Sequence, residues 1–281
     1  MKIIDIHAHV YPDPIAAKAA KSIRNYYHLG DDMDGTISKL LERGSAAGVY
    51  HYLILPVAVK PDHVRNINAF IRQQVQQHDC FTGFGTVHAG MENILEEVQR
   101  IEEMGLKGIK IHPHYQEVDI DDIRYLRLLG RAAELGLLTV MHSGQDIGFP
   151  GVVRCSPEMT ASALQQLGDI PLVLAHMGGW KDWNRVADHL GPTGCLLDTA
   201  LSLGQITPLE PDHYRPEELP LLDNTGFCSL VQAFGSKRIL FGTDSPWEDQ
   251  KTYVRRIQAM PLTEAEKEDI LWRNAGRLLS V

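Results

Sequence analysis

Cysteine is scarce. Cys80, Cys155, Cys195 and Cys228 are scattered through 281 residues with no CxxC spacing. That argues against a thiolate zinc site and a disulfide framework, and predicts reduced thiols in a cytoplasmic protein. Long apolar runs are also missing, so no membrane span is expected. Met1-Lys2 leads directly into an apolar strand pattern, without the apolar core and small-residue cleavage site of a secretion signal. Positive charge is not in excess: 27 Lys and Arg face 36 Asp and Glu, a formal net charge of −9. Nothing in that balance favours nucleic acid or an anionic membrane, and a small molecule is the expected partner. No GxGxxG follows the first strand pattern and no GxxxxGK[ST] occurs anywhere, which weakens a nucleotide-binding open sheet. Internal repeats, low-complexity tracts and interdomain linkers are absent too. What is present is ordinary globular composition, 44% hydrophobic and 22% charged. It predicts one domain over residues 1–281 with a large core, and leaves a homodimer open.

Short β-rich runs alternate with longer amphipathic stretches along the whole chain. Strands are predicted at Lys2–Ile6, Tyr50–Leu55, Phe81–Val87, Lys107–Ile111, Leu137–His142, Leu172–His176, Gly194–Leu197 and Arg238–Phe241. The intervening helices are predicted at Ile37–Ala47, Asp62–Gln77, Met91–Met104, Asp121–Leu135, Pro157–Leu167, Trp180–Leu190 and Asn224–Phe234. Glu248–Ala259 follows the eighth strand, and a C-terminal helix spans about Thr263–Leu279. Gly48, Gly105 and Gly136 each stand between a helix and a strand, where a left-handed helix end wants glycine. Thr263 with Glu266 three residues on has the form of a capping box. Strand-then-helix alternation implies parallel strands joined by crossover helices, and eight such units point to a (β/α)8 TIM barrel. Three long connections, Tyr11–Gly35, Ser143–Ser156 and Asp198–Asp223, follow strands. On a barrel that places them at the C-terminal mouth, where active sites form.

The strand ends carry the chemistry. The first ends Ile4-Asp5-Ile6-His7-Ala8-His9, the fifth Val140-Met141-His142, the sixth Leu174-Ala175-His176 and the eighth Phe241-Gly242-Thr243-Asp244. Side chains alternate along a strand, so His7 and His9 share a side. If that side faces the barrel interior, imidazoles from several strands and one carboxylate converge. Those are the ligands of Zn²⁺, Mn²⁺ or Fe²⁺. A single strand-end histidine is more often a hydrogen-bonded rim residue than a ligand. With 13 histidines in 281 residues, however, three separate strands ending in one by chance is an event on the order of 10⁻⁴.

These residues, with Gly242-Thr243-Asp244-Ser245-Pro246-Trp247, Lys107-Gly-Ile-Lys110-Ile-His112-Pro113 and Asn274-Ala-Gly-Arg277, resemble the amidohydrolase superfamily. More narrowly they resemble the amidohydrolase-related branch, which also holds decarboxylases similar to aminocarboxymuconate semialdehyde decarboxylase. The resemblance covers essentially the whole chain. It implies a divalent metal, zinc first and manganese or iron as alternatives, held by His7, His9, His142 and Asp244. His176 would then be a ligand to a second ion or a metal-free acid/base. Lys110 would be a carboxylated bridge between two ions, or else a structural lysine reaching a buried carboxylate such as Asp5.

His112 is a candidate to contact substrate, bind metal or orient neighbours, and His114 is expected to be solvated. Trp180, Trp183 and Trp247 either line a pocket or pack at the rim. Arg154 is a candidate clamp for a substrate carboxylate, or else a solvated loop arginine. Gly178-Gly179 offers free N–H groups or merely a tight turn. Asp5 shares the inward face with His7 and is expected to tune the ligands. A bound cation would lower the pKa of a water toward about 7. Asp244 would act as base and His176 as acid/base on a small ester, lactone or amide. The alternative is a lyase, decarboxylating or hydrating a small carboxylic acid. A barrel that only binds a ligand is the non-catalytic alternative.

Overall fold

The computed structural model describes residues 2–29 and 34–281. Residues 30–33, part of the predicted Tyr11–Gly35 connection, and Met1 lie outside them. From the N-terminus the elements are β1 (Ile3–Ala8), α1 (Asp13–Tyr27), α2 (Ile37–Ala47), β2 (Val49–Ile54) and α3 (Val64–Gln77). β3 (Phe81–Gly83), β4 (Gly85–Thr86), α4 (Ile94–Glu103), β5 (Gly108–Ile111), α5 (Pro113–Gln116) and α6 (Ile123–Glu134) follow. Then come β6 (Leu138–Met141), α7 (Pro157–Leu167), β7 (Leu172–Leu174), α8 (Trp183–Leu190), β8 (Leu196–Asp198) and α9 (Asn224–Phe234). The chain closes with β9 (Ile239–Leu240), α10 (Gln250–Ala259), α11 (Glu264–Glu268) and α12 (Asn274–Leu279). β3 and β4 together answer one predicted strand, so all eight predicted strands are present. Their parallel, helix-separated order is that of an α/β barrel.

The chain divides into two compact units, Met1–Tyr52 with Thr199–Val281, and Leu53–Asp198. In the second unit, β4 through β8 pair in sequence order and in parallel. The β5–β6 register sets Gly108 opposite Leu138 and Ile111 opposite Met141. Ile109, Val140 and Leu174 of these strands are fully buried, as strands covered on both faces require. In the first unit, β1 runs beside the segment that follows β9. Ile6 N–H donates to Phe241 O (2.9 Å), and Ala8 bridges Ser245 in parallel.

Helix ends obey the local chemistry. Gly48, Gly105 and Gly136 all have positive φ, and Thr263 and Glu266 cap each other reciprocally. Three findings differ from expectation. The stretch after β1 contains a helix, α1, started by Pro12 and Pro14 and carried by an alanine-rich sequence. The C-terminal helix is widened at Asp269–Arg273 into a π turn. There the Ile270 carbonyl is diverted to the Phe241 N–H (3.0 Å), so it leaves the helical ladder. Asn274 adds to this clasp by donating through Nδ2 to Ile239 O (2.7 Å) and Ser236 O (2.8 Å). Finally, His114 is fully buried rather than solvated, because Pro113 starts α5 and turns the side chain inward.

One buried polar knot braces the second unit. Glu97 on α4 accepts from Arg100 Nη2 (2.8 Å) and Nε (3.0 Å), and from Asn68 Nδ2 (2.9 Å) on α3. Asn68 in turn exchanges hydrogen bonds with both backbone groups of Thr86 on β4. Burial alone would push the Glu97 carboxyl up, but the bonds from Arg100 and Asn68 and the charges of Arg100 and Arg65 outweigh it and hold it below its ordinary value. A depressed carboxyl stabilises the fold above its unfolded pKa, and that contribution disappears as pH falls through its folded value. Glu97→Ala is therefore expected to cost about 2 kcal/mol at pH 7, because Asn68 loses an acceptor while the third-exposed Arg100 regains water. The deficit against wild type should shrink in denaturant titrations repeated toward pH 4. A pH-independent deficit would refute the electrostatic origin.

Candidate metal and catalytic centre

β1 delivers His7 and His9 two residues apart, so both imidazoles leave the same side of the strand. They meet Asp244 within the first unit. His9 Nε2 lies 2.9 Å and His7 Nε2 3.5 Å from Asp244 Oδ1. One ligand atom from each of the three residues falls within 4.8 Å of the other two. Two ligands around a tetrahedral ion are about 3.3 Å apart, given bonds of about 2.0–2.1 Å. The donor set, two imidazoles and a carboxylate, therefore fits a divalent metal in both chemistry and spacing. His7 and Asp244 are buried, while His9 is half-buried and reaches the solvent side of the set.

The backbone that presents Asp244 is held in an unusual state. Asp244 has φ +69°, a left-handed conformation that aspartate tolerates better than most residues. Its N–H donates to His7 O (2.8 Å), and its carbonyl accepts from Trp247 N–H (2.9 Å). Beneath it, the fully buried Asp5 carboxylate receives four hydrogen bonds. They come from Thr243 Oγ1 (2.6 Å), Thr243 N–H (3.0 Å), His7 N–H (3.1 Å) and Gln250 Nε2 (3.2 Å). Burial pushes the Asp5 carboxyl up to about 6, opposed by the bonds from Thr243, His7 and Gln250. Asp5 thus ties strand β1 to the turn that carries Asp244. Tyr11 stands close by; burial, then the charge of Asp244, raises its phenol, so it remains a protonated donor.

Thr243 is the clearest positioning residue here, since its hydroxyl donates to Asp5 and accepts from Ser245 N–H (3.2 Å). Thr243→Val keeps the shape and removes both bonds. It is expected to weaken metal affinity about 10- to 100-fold with the ligands untouched, measured by competition against a chromophoric chelator. Unchanged affinity would show that the turn is held by other contacts.

In the second unit, His142 follows β6 and His176 follows β7. His142 Nδ1 and His176 Nε2 are 3.0 Å apart. His142 stacks on His112 (ring centroids 4.1 Å, 19°), and Asp146 Oδ2 approaches His112 Nε2 (3.5 Å) and His142 Nε2 (3.6 Å). Burial pushes His142 well below the ordinary imidazole value, and the nearby His112, His176, His114 and Lys110 push the same way. The ring is therefore neutral, the form that ligates metals or accepts protons. His176 and Met177 both take positive φ, and Asp198 accepts from His176 N–H (3.0 Å) while Trp183 Nε1 donates to His176 O (2.9 Å). Strained backbone thus recurs at both histidine- and aspartate-bearing turns.

The remaining candidates divide. Lys110 is buried beside His142. Trp247 lines a cavity of about 220 Å³ with Leu201, Gln205, Ile206 and Glu248. Trp180 belongs to the core, at 2% exposure. Arg154 donates to Asp119 Oδ1 (2.9 Å), so its guanidinium is engaged by a protein carboxylate. Gly178 and Gly179 form the tight turn that lets His176 and Trp183 meet. Sequence reasoning passed over Asp146 and Gln250. Asp146 had a legible signal, a carboxylate four residues after His142 on a glycine-containing loop. Gln250 had none.

The fold is that of an α/β-barrel enzyme, and the His7, His9 and Asp244 set is its candidate metal centre. The chain matches the amidohydrolase family over residues 4–281 and belongs to it. Among solved structures, it is similar to an uncharacterised TIM-barrel protein of Bordetella bronchiseptica, with 22% identity, 100% and 99% of the two chains covered, and a TM-score of 0.78. It is also similar to a dihydroxybenzoic acid decarboxylase of a Polaromonas species, solved with manganese and the inhibitor 2-nitroresorcinol (16% identity, 99% and 97% covered, TM-score 0.69). A third similar structure, from Pseudomonas putida, is provisionally named a 2-pyrone-4,6-dicarboxylic acid hydrolase (18% identity, 99% and 97% covered, TM-score 0.66). No curated protein matches the chain. Among the described residues no helix is long and apolar enough to cross a membrane.

Proposed function

We propose that the protein is a metal-dependent hydrolase of a small ester, lactone or amide, with His7, His9 and Asp244 holding the ion. The observation that carries this is the Asp244 carboxylate, set within reach of both imidazoles by a left-handed turn. When bound, the ion supplies Lewis-acid polarisation of a carbonyl and an acidified water. Zinc suits the donor set, and manganese, present in the decarboxylase of similar fold, suits it too. Asp244 keeps its second oxygen for proton transfer and serves as general base. His176, paired with the neutral His142, is the group proposed to pass a proton to the leaving group or to support developing negative charge. Family resemblance adds His142 to the ligand set and makes Lys110 a possible bridge between two ions; metal counts on His142→Ala and Lys110→Ala test both. His112, Trp180, Trp247 and Arg154 are proposed to shape substrate binding. For Trp180 this acts through the core, and for Arg154 it requires release from Asp119.

A lyase remains the second reading, favoured by the similarity to a dihydroxybenzoic acid decarboxylase. Metal analysis of the purified protein, then product analysis on a panel of lactones, esters, amides and hydroxylated aromatic acids, decides between them. Ring opening or acid release without CO2 supports the hydrolase. Stoichiometric CO2 overturns it in favour of the lyase, and a metal-free, inert protein overturns both.

A further inference from the structure

A second group of metal-ligating side chains lies in the first unit and shares no residue with the His7, His9 and Asp244 set. His28 caps the C-terminal end of the 15-residue helix α1 with a left-handed backbone. Glu210 and His213 come from the connection between β8 and α9. His28 Nδ1 lies 3.3 Å from Glu210 Oε2, the edge length of a tetrahedral zinc site (about 3.3 Å). The His28 and His213 rings stack with centroids 3.8 Å apart and planes 14° from parallel. One ligand atom from each of the three residues lies within 4.8 Å of the others. All three side chains are at the surface, so closing the remaining distance takes only side-chain rotation.

The backbone beneath them is already fastened. Leu209 N–H donates to His28 O (2.7 Å), Leu29 and Pro208 form an antiparallel bridge, and Tyr214 Oη donates to Tyr27 O (2.7 Å). The ligands are thus carried on two segments held in register, which lowers the ordering cost of binding. The C-terminal end of a helix also bears partial negative charge and favours a cation.

We propose that His28, Glu210 and His213 form a separate structural site for a borderline divalent transition-metal ion, Zn²⁺ above all, which pins the β8–α9 connection to the end of α1. Two imidazoles and one carboxylate select Zn²⁺ over Ca²⁺ and Mg²⁺, which take oxygen ligands. The ion gains four-coordination with one water and needs no change in the catalytic centre. The role is mechanical: the connection it fastens also supplies Leu201, Gln205 and Ile206 to the wall of the Trp247 cavity.

The test titrates the full-length protein with Zn²⁺ against a chromophoric chelator. Wild type is compared with His213→Ala, Glu210→Gln and a His7→Ala/His9→Ala double variant. The surface variants should bind one equivalent fewer than wild type, or bind it at least about tenfold more weakly. The double variant, if folded, should keep that equivalent. Zn²⁺ should also slow cleavage by a glutamate-specific protease after the exposed Glu217 in wild type but not in His213→Ala, and Ca²⁺ should do neither. Equal zinc stoichiometry and affinity in wild type and both surface variants would overturn the site, as would zinc-independent cleavage after Glu217.

Discussion

Asp244→Asn is expected to lower turnover by at least about a thousandfold while the protein keeps part of its metal. The amide retains one oxygen that can face the ion, and the turn remains, since its bonds to His7 and Trp247 are made by the backbone. What disappears is the basic carboxylate and one negative charge beside His7 and His9. Asp244→Ala should go further and lose most of the metal, because two imidazoles alone make a weak site. Metal analysis beside kcat separates the two roles. If Asp244→Asn turned over at the wild-type rate, the base would have to be another group, with His176 next in line. If both variants were inactive with full metal, Asp244 would be a base and not a ligand.

Gly144→Ala should be severely destabilising to the second unit, because a positive φ and backbone crowding coincide there. Gly144 has φ +88°, and a Cβ there would lie 2.2 Å from Trp180 N, 2.4 Å from Gly179 C and 2.5 Å from Trp180 O. These are backbone atoms and cannot swing aside. The contact is close because Gly144 bridges Trp180 in parallel, with Trp180 N–H donating to Ser143 O (3.0 Å) and Gln145 N–H to Trp180 O (2.9 Å). That bridge joins the turn after His142 to the turn after His176. The substitution should cost roughly 3–5 kcal/mol, lowering Tm on the order of 10 °C, and should separate the His142–His176 pair. Gly151→Ala is the control. Its φ is also positive (+76°), but a Cβ there meets nothing within 4 Å, so only the backbone term of about 1–2 kcal/mol applies. Equal losses at the two positions would show that strain in φ, and not crowding, dominates.

The fold was legible because its signals are periodic and local. Eight apolar runs, glycines at helix ends and the Thr263–Glu266 cap all act within a few residues. The convergence of His7, His9 and Asp244 was legible too, since strand alternation and strand-end position say where side chains go. What was illegible depends on distant partners. The π turn exists because Phe241 claims the Ile270 carbonyl, 29 positions away in sequence. His114 is buried because α5 turns it inward, and Arg154 is engaged because Asp119 lies opposite. Asp5 read correctly as a neighbour of the ligands, but its attachment to Thr243 and Gln250 emerges only when the two ends of the chain are folded together.

The clasp around β9 couples the helix that carries Ile270 and Asn274 to the segment that leads to Asp244. Ile270 and Asn274 grip Phe241 and Ile239, and three residues beyond Phe241 stands Asp244, the carboxylate proposed as metal ligand and base. A disturbance of that helix would travel through this short lever arm to the Asp244 turn. Substitutions in that helix are therefore expected to register at the proposed metal centre.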